Sequence, residues 1–207
     1  MDDDSTPTTR RPGRPRAFDR DQALSTALDL FWRHGFEGTS TAQLTAAMGI
    51  ATPSLYAAFG SKEGLFREAV ALYGKRYGGF LNEPMSTTGP ARAAVEQMLL
   101  RAARQFANTE HPLGCMVAAG ELQASPANAT LVAEVTGLRQ AAQQAIRSRL
   151  EGARKAAELP ADTDTATLAA FYAMTIQGMA VQARDGAKPA RLKRLAELAM
   201  RAWPNPP

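Results

Sequence analysis

Leu24, Leu28 and Phe31 recur at intervals of three and four residues, the spacing that gathers side chains on one face of an α-helix. The segment predicts a first helix with Asp19 as N-cap, Gln22 three positions on in a capping-box arrangement, and Gly35 as its stop. The pattern restarts at Ser40, again with Gln43 three positions later. Leu44 and Ala47 are expected to face inward, and Gly49 takes the place of a C-terminal cap. Ile50 and Ala51 then form a turn. Thr52 is expected to cap a third short helix with Pro53 at its first position, where a missing amide proton costs nothing. Leu55 and Phe59, four apart, share its buried face, and Gly60 ends it. Ser61 caps a fourth helix, with Glu63 in the first turn and Leu65, Phe66 and Ala69 inward.

Further along, Gly78, Gly79 and the stretch from Glu83 to Pro90 predict a hinge into a second region. Longer helices are expected over Ala91–Asn108, Cys115–Ala124, Ala127–Ala157, Thr163–Arg184 and Ala190–Trp203. The breaks between them contain Pro112 with Gly114, Ser125-Pro126, Pro160, and Gly186 with Pro189. Residues of high β propensity never form alternating runs of strand length. The expected fold class is therefore all-α: an N-terminal three-helix helix-turn-helix, homeodomain-like domain, and a larger C-terminal helical domain. The expected divisions are a flexible basic arm at 1–16, a helix-turn-helix domain at 17–63 and the larger domain at 64–207.

Charge sharpens this picture through its distribution more than its total. A net charge of +4 and a pI near 9.5 separate nucleic-acid binders from other proteins only weakly. Arg10, Arg11, Arg14, Arg16 and Arg20, however, face only Asp19 in a stretch broken by Pro12, Gly13 and Pro15. Such an arm suits phosphates or a narrow minor groove, and equally a solvated tail. A lone cysteine, Cys115, excludes an intrachain disulfide. No run approaches the ~18 apolar residues of a membrane span, and the acidic first residues do not resemble a signal peptide. A cytoplasmic protein without a membrane partner is expected. His34 and His111 stand apart from any metal-ligand spacing, and no phosphate-binding glycine loop or catalytic set is present. Neither an enzyme, a metal site nor a cofactor is expected.

Two short capped helices joined by a tight turn are the layout that places a recognition helix in a DNA major groove. That helix would present Thr52, Pro53, Ser54, Tyr56 and Ala57, with Leu55 and Phe59 holding it from behind. Thr41 and Thr52 can act as caps, as DNA contacts or as both. The Tyr56 hydroxyl suits a phosphate, as does Lys62 at the next helix start. The residues Phe36-Glu-Gly-Thr-Ser-Thr-Ala-Gln-Leu and Met48-Gly-Ile-Ala-Thr-Pro-Ser-Leu-Tyr-Ala-Ala-Phe-Gly-Ser-Lys-Glu-Gly-Leu-Phe resemble the TetR/AcrR family of transcriptional regulators, over about Gly13 to Tyr73. The resemblance implies a double-stranded DNA operator, an effector-binding C-terminal domain and homodimers packed through the last two helices. It makes Thr41 a helix-start hydroxyl near the DNA backbone and Lys62 a phosphate-binding lysine. Arg14 and Arg16 correspond to an arm that some members carry. Ala58 stands where many members have an aromatic residue or histidine.

Pro112-Leu-Gly-Cys-Met-Val-Ala-Ala-Gly resembles a Gly-Cys segment of a family branch, some of whose members sense electrophiles or oxidants through cysteine. At a helix N-terminus the Cys115 thiol is expected to have a depressed pKa; the alternative is a small buried hydrophobe. The effector pocket is expected among Met98, Phe106, Cys115, Met116, Phe171, Tyr172, Thr175 and Met179. The dimer interface is expected from Gly178, Ala180, Leu192, Leu195, Ala199 and Ala202. Together these features point to a repressor released from a pseudo-palindromic operator by a small-molecule effector or by modification of Cys115. The alternative is an architectural or constitutive DNA-binding dimer without an effector, and a cavity or a filled core separates the two.

Overall fold

The computed structural model describes residues 18–119 and 125–204, and among them every regular element is helical. The α-helices are α1 (Arg20–His34), α2 (Thr41–Met48), α3 (Thr52–Phe59), α4 (Lys62–Tyr77), α5 (Gly79–Ser86), α6 (Ala91–Phe106), α7 (Met116–Ala119), α8 (Ala129–Lys155), α9 (Thr165–Arg184) and α10 (Pro189–Ala199). Short 3-10 turns lie at Pro126–Asn128 and Met200–Ala202.

The head is built from α1 to α3 and the first half of α4, and local capping explains its boundaries. The Asp19 carboxylate accepts the amides of Asp21 and Gln22 at the start of α1. Ser40 and Gln43 close a reciprocal box, the Ser40 hydroxyl accepting the Gln43 amide at 3.1 Å and the Gln43 side chain accepting the Ser40 amide at 2.7 Å. Gly49 adopts a left-handed conformation with φ 66°, and the amides of Gly49 and Ile50 return to the carbonyls of Ala46 and Thr45. That closure satisfies orphan carbonyls and turns the chain directly into α3. Ser61 accepts the Gly64 amide at the start of α4. Leu28, Phe31, Phe36, Leu44, Leu55, Phe59, Leu65 and Phe66 form the core of the head. The Phe66 ring meets Phe31 edge-on at 5.1 Å and Phe36 at 5.3 Å.

Several expectations for the head change. Ala51, not Thr52, is the N-cap of α3 and makes no side-chain cap bond, so Thr52 and Pro53 are the first two helical residues. Ala47 is exposed and Met48, four residues on from Leu44, packs toward the core; successive residues are turned by about 100°, so only one of the pair can point inward. Leu24 is half-buried, and Ala23, Ala27 and Trp32 supply the rest of the inner face of α1. Arg20, counted by sequence with the cationic arm, is the first residue of α1. Its guanidinium binds both Glu68 carboxylate oxygens at 2.8 and 2.9 Å and the Ala58 carbonyl at 3.2 Å, and lies over the Phe59 ring.

The body consists of α5 to α10. A helix, α5, occupies part of the expected hinge, with Pro84 buried inside it. Only two helical residues follow Pro84, and its ring adds to the apolar contact with the rest of the body instead of interrupting a long ladder. Helices α8 and α9 pack together, while α6 contacts α5, α9 and α10. Their shared core includes Val95, Met98, Leu99, Phe106, Ile146, Leu150, Tyr172, Met179 and Leu192. The helix expected from Cys115 begins at Met116, and residues 120–124 of that span lie outside the described residues. Gly114 sets its approach: at φ 80°, a Cβ there would come within 2.7 Å of the Ala180 carbonyl and of Arg184. No side chain fits, so glycine lets this loop lie on α9.

Candidate nucleic-acid interface and effector cavity

The outer face of α3 carries Thr52, Pro53, Tyr56 and Ala57, all exposed, with Ser54 half-exposed beside them. Tyr56 is 45% accessible, unusual for a large ring, while Leu55 and Phe59 on the opposite side are buried. One displacement from the expected boundary matters chemically. Because the cap is Ala51, the Thr52 hydroxyl is not consumed in capping. Thr41 opens α2 and is half-buried. Lys62 opens α4, and its ammonium sits 4.1 Å from the centroid of the Phe36 ring. The ring thus anchors the lysine stem at the margin of the α3 face. Arg14 and Arg16 lie outside the described residues.

Behind the head, α4 continues into the body and forms one wall of a cavity of about 510 Å3. Phe66, Val70, Ala71 and Tyr73 of α4 face Phe80 and Leu81 of α5, Val117 and Ala118 of α7, Val135, Leu138 and Ile146 of α8, and Ala173 and Ile176 of α9. Polar groups are few: Arg67, Asn82, Glu134, Arg139 and Gln177. Arg67 donates to both oxygens of Glu134 at 2.8 and 3.0 Å, tying α4 to α8 across the wall. Arg139 donates to the Val117 carbonyl at 3.0 Å and to the Thr136 hydroxyl at 2.8 Å.

Cys115 also lines this cavity. Its sulfur accepts hydrogen bonds from the Tyr73 hydroxyl at 3.1 Å and the Ala118 amide at 3.3 Å. These bonds favour thiolate, yet burial outweighs them and pushes the thiol above its ordinary 9.0. The expected depression therefore does not occur: removal of the sulfur from water outweighs the groups that favour the thiolate. Burial likewise raises the Tyr73 phenol well above 10.0, with the adjacent sulfur adding to the shift. Tyr73 extends the site into an aromatic joint, where Trp32 of α1 stacks on His111 at 4.7 Å and meets Tyr73 edge-on at 4.8 Å.

Comparison with known proteins matches both halves of this arrangement. Residues 23–69 fit the family model described as bacterial regulatory proteins, tetR family, and residues 91–199 fit a tetracyclin repressor-like C-terminal domain. The chain belongs to the TetR family. It is accordingly a DNA-binding transcriptional regulator and not an enzyme. It is 35% identical over 208 residues to the HTH-type transcriptional repressor ComR of Escherichia coli K12, covering 99% of each chain. It is 40% identical over 112 residues to the repressor BdcR of the same organism, covering 54% of this chain and 57% of BdcR. Among solved structures, a triple cysteine mutant of the regulator CifR, complexed with a 26-bp double-strand operator DNA, superposes with a TM-score of 0.88 at 43% identity. That alignment covers 93% of this chain and all of CifR.

Within this TetR-family architecture, Cys115 alone of the residues expected around an effector lines the cavity. Met98, Phe106, Tyr172 and Met179 are fully enclosed in the body core, and Met116 is buried beside Cys115. Burial raises the Tyr172 hydroxyl to about 12. Phe171 and Thr175 lie on the other side of α9 from Ala173, Ile176 and Gln177, half-exposed. Met98, Phe106, Met116, Tyr172 and Met179 do face inward, but periodicity does not distinguish a cavity wall from a filled core. Nor does it reveal α5 as a wall.

The residues expected at a dimer interface divide similarly. Ala180, Leu192 and Ala199 are buried within the chain's own core, whereas Gly178 and Ala202 are exposed and Leu195 is half-buried. The large apolar side chains left exposed on α9 and α10 are Met174 at 62%, Val181 at 43% and Leu198 at 55%. Met174, Gly178 and Val181 follow helical spacing, so the outer stripe of α9 runs beside the one that Ala180 belongs to. Also unforeseen was Glu37, whose carboxylate ties the head to the body by accepting the Ser125 amide at 3.0 Å and the Asn128 side-chain amide at 2.6 Å.

Proposed function

We propose that this regulator represses transcription as a homodimer on a pseudo-palindromic operator and leaves it when a small molecule fills the 510 Å3 cavity. The observation that carries the reading is that α4 serves both sites: it starts beside the recognition helix with Lys62 and forms the cavity wall from Phe66 to Gly74. A ligand wedged between α4 and α8 acts against the Arg67–Glu134 pair and displaces the head. The names of ComR and BdcR, and the operator complex of CifR, support repression and operator binding.

In this reading, residues 17–63 carry the DNA-binding domain and 64–207 the effector-binding and dimerisation domain. Thr52, Pro53, Ser54, Tyr56 and Ala57 face the major groove, Thr41 and Lys62 hold phosphates, and Arg14 and Arg16 follow the DNA from the arm. Two copies join through Met174, Gly178 and Val181 of α9 with Leu195 and Leu198 of α10 and Ala202 of the 3-10 turn that follows it. Two heads then enter successive major grooves, about 34–36 Å apart. A tilt of α4 in each protomer spoils that spacing.

The cavity favours this switch over a constitutive architectural protein, because a pure scaffold has no reason to leave such a space unfilled. Modification of Cys115 is a second trigger, supported by the sulfur's place on the cavity wall. An electrophile small enough to fit would gain bulk beside α4 on reaction, although the raised thiol pKa slows that attack.

Selection of genomic fragments supplies the operator, and fluorescence anisotropy of the labelled fragment then measures release by metabolite and electrophile pools. Wild-type complexes should dissociate with an active pool, while Val70→Trp, which fills the cavity, should resist it. Release by electrophiles that is lost in Cys115→Ser assigns the covalent trigger. Operator binding by wild type that no pool alters supports the architectural reading instead.

A further inference from the structure

Taking the cavity as the effector site proposed above, we infer that its ligand is an uncharged, largely apolar molecule of about 10–15 non-hydrogen atoms, oriented by the Gln177 side-chain amide. At the ~30 Å3 that one water occupies in the liquid, 510 Å3 accommodates about that many atoms once imperfect filling is allowed.

Charge is the first discriminator. The guanidiniums on the wall are already engaged: Arg67 with Glu134, and Arg139 with Val117 and Thr136. Glu134 is satisfied by the same pair. A carboxylate or ammonium brought inside must give up its water and compete with the partners these groups already hold, a cost that a neutral molecule avoids. The two titratable groups deepest in the wall, Tyr73 and Cys115, are held protonated by burial, so neither supplies a counter-charge near neutral pH.

The polar end of the ligand is placed by what remains. Gln177 is half-buried, lines the cavity and makes no hydrogen bond to the protein among the described residues. Its amide offers both donors and an acceptor. Around it, Ala173 and Ile176 are apolar, so a ligand carbonyl or hydroxyl finds its hydrogen bond there and its chain lies toward Val70, Phe80 and Leu138. Gln177 stands one residue from Gly178 on α9, which places the ligand's anchor on the helix that carries the exposed Met174–Val181 stripe.

The test uses the full chain and three molecules of equal chain length: decan-1-ol, decanoate and decylammonium. Calorimetry without DNA should show the alcohol binding once per protomer, about a hundredfold more tightly than either ion. Gln177→Leu should weaken the alcohol about tenfold, the loss of one buried hydrogen bond, with folding checked by circular dichroism. Ala142→Trp, which occupies the cavity from α8, should abolish binding. Decanoate or decylammonium binding as tightly as the alcohol overturns the inference, and so does absence of alcohol binding. Equal alcohol affinity in wild type and Gln177→Leu overturns the role of that amide. Operator release is measured separately by anisotropy: alcohol binding without release counts against the switch reading and leaves the ligand class standing.

Discussion

Lys62 holds its ammonium over the Phe36 ring while sitting at the first turn of α4, so a core aromatic residue fixes a cation beside the recognition helix. Ser54, by contrast, belongs to the outer face of α3, which the proposed function turns toward the base edges of the groove. The two positions should therefore fail differently. Lys62→Ala is expected to weaken binding to operator and random DNA alike and to lower the salt slope by about one per head. Ser54→Ala is expected to change affinity in a sequence-dependent way. Anisotropy titrations on both DNAs across a salt series check this division, and equal losses on both DNAs for both variants would refute it. Cys115 gives the complementary lesson at this scale. Its position before a helix suggested an activated thiol, yet the surrounding Tyr73, Met116 and Ala118 remove water from the sulfur, and desolvation wins.

Helix ends show how one local rule can be met well or badly. The end of α2 uses Gly49 and that of α9 uses Gly186, each closed by a pair of backbone hydrogen bonds. The end of α8 closes in the same way through the amides of Ala157 and Glu158, but the left-handed residue is Ala157 at φ 58°. A side chain in that conformation costs about 1–2 kcal/mol relative to glycine's freedom. Ala157→Gly, partly offset by the greater entropy of its unfolded chain, should stabilise the protein by about 1 kcal/mol and raise the Tm by about 2–4 °C. Calorimetry of the two proteins is the measurement. Such ends were legible because capping is local: Ser40 with Gln43, Gly49 and Ser61 all act as their spacing suggested. The start of α3 moved by one residue because Thr52 and Pro53 are compatible with more than one position in a first turn. The helix at α5 is not legible in the sequence because Gly79 and Pro84 argue against a helix locally, and contact with α6, α4 and α8 supports it.

Head and body are joined by contacts distant in sequence: Arg67 with Glu134, Trp32 with His111, and Glu37 with Ser125 and Asn128. The Ser125 backbone amide, then the Asn128 side chain, hold the Glu37 carboxyl below its ordinary 4.5. The ionised form is thus favoured by the fold, so its contribution is present above 4.5 and fades as pH falls through the lowered value. Thermal unfolding of wild type and Glu37→Gln should differ near neutral pH, with the wild type more stable, and the difference should shrink in acid. A gap independent of pH would show that the charge is immaterial. Met174 and Leu198 are the most exposed large apolar side chains of α9 and α10. If they lie at the centre of the proposed dimer, Met174→Glu with Leu198→Glu should cost about 2 kcal/mol or more per buried position. Sedimentation equilibrium should then show monomers where wild type is dimeric.

By itself the sequence determined the all-helical class, the short capped helices of the head and the exposed face of α3, since each depends on interactions within a few residues. It also carried the family resemblance, because the head's motif is continuous in the chain. Tertiary structure alone decided where apolar surface is filled and where it surrounds space. Leu192 and Leu198 have the same chemistry on one helix, yet one is enclosed and the other is 55% exposed. Met98 is core while Val70 faces a cavity. Helical periodicity specifies which face turns inward, but the distance to the opposing helix depends on partners dozens of residues away. For the same reason, only the assembled fold placed Cys115 in a buried wall against Tyr73, where loss of water sets its chemistry.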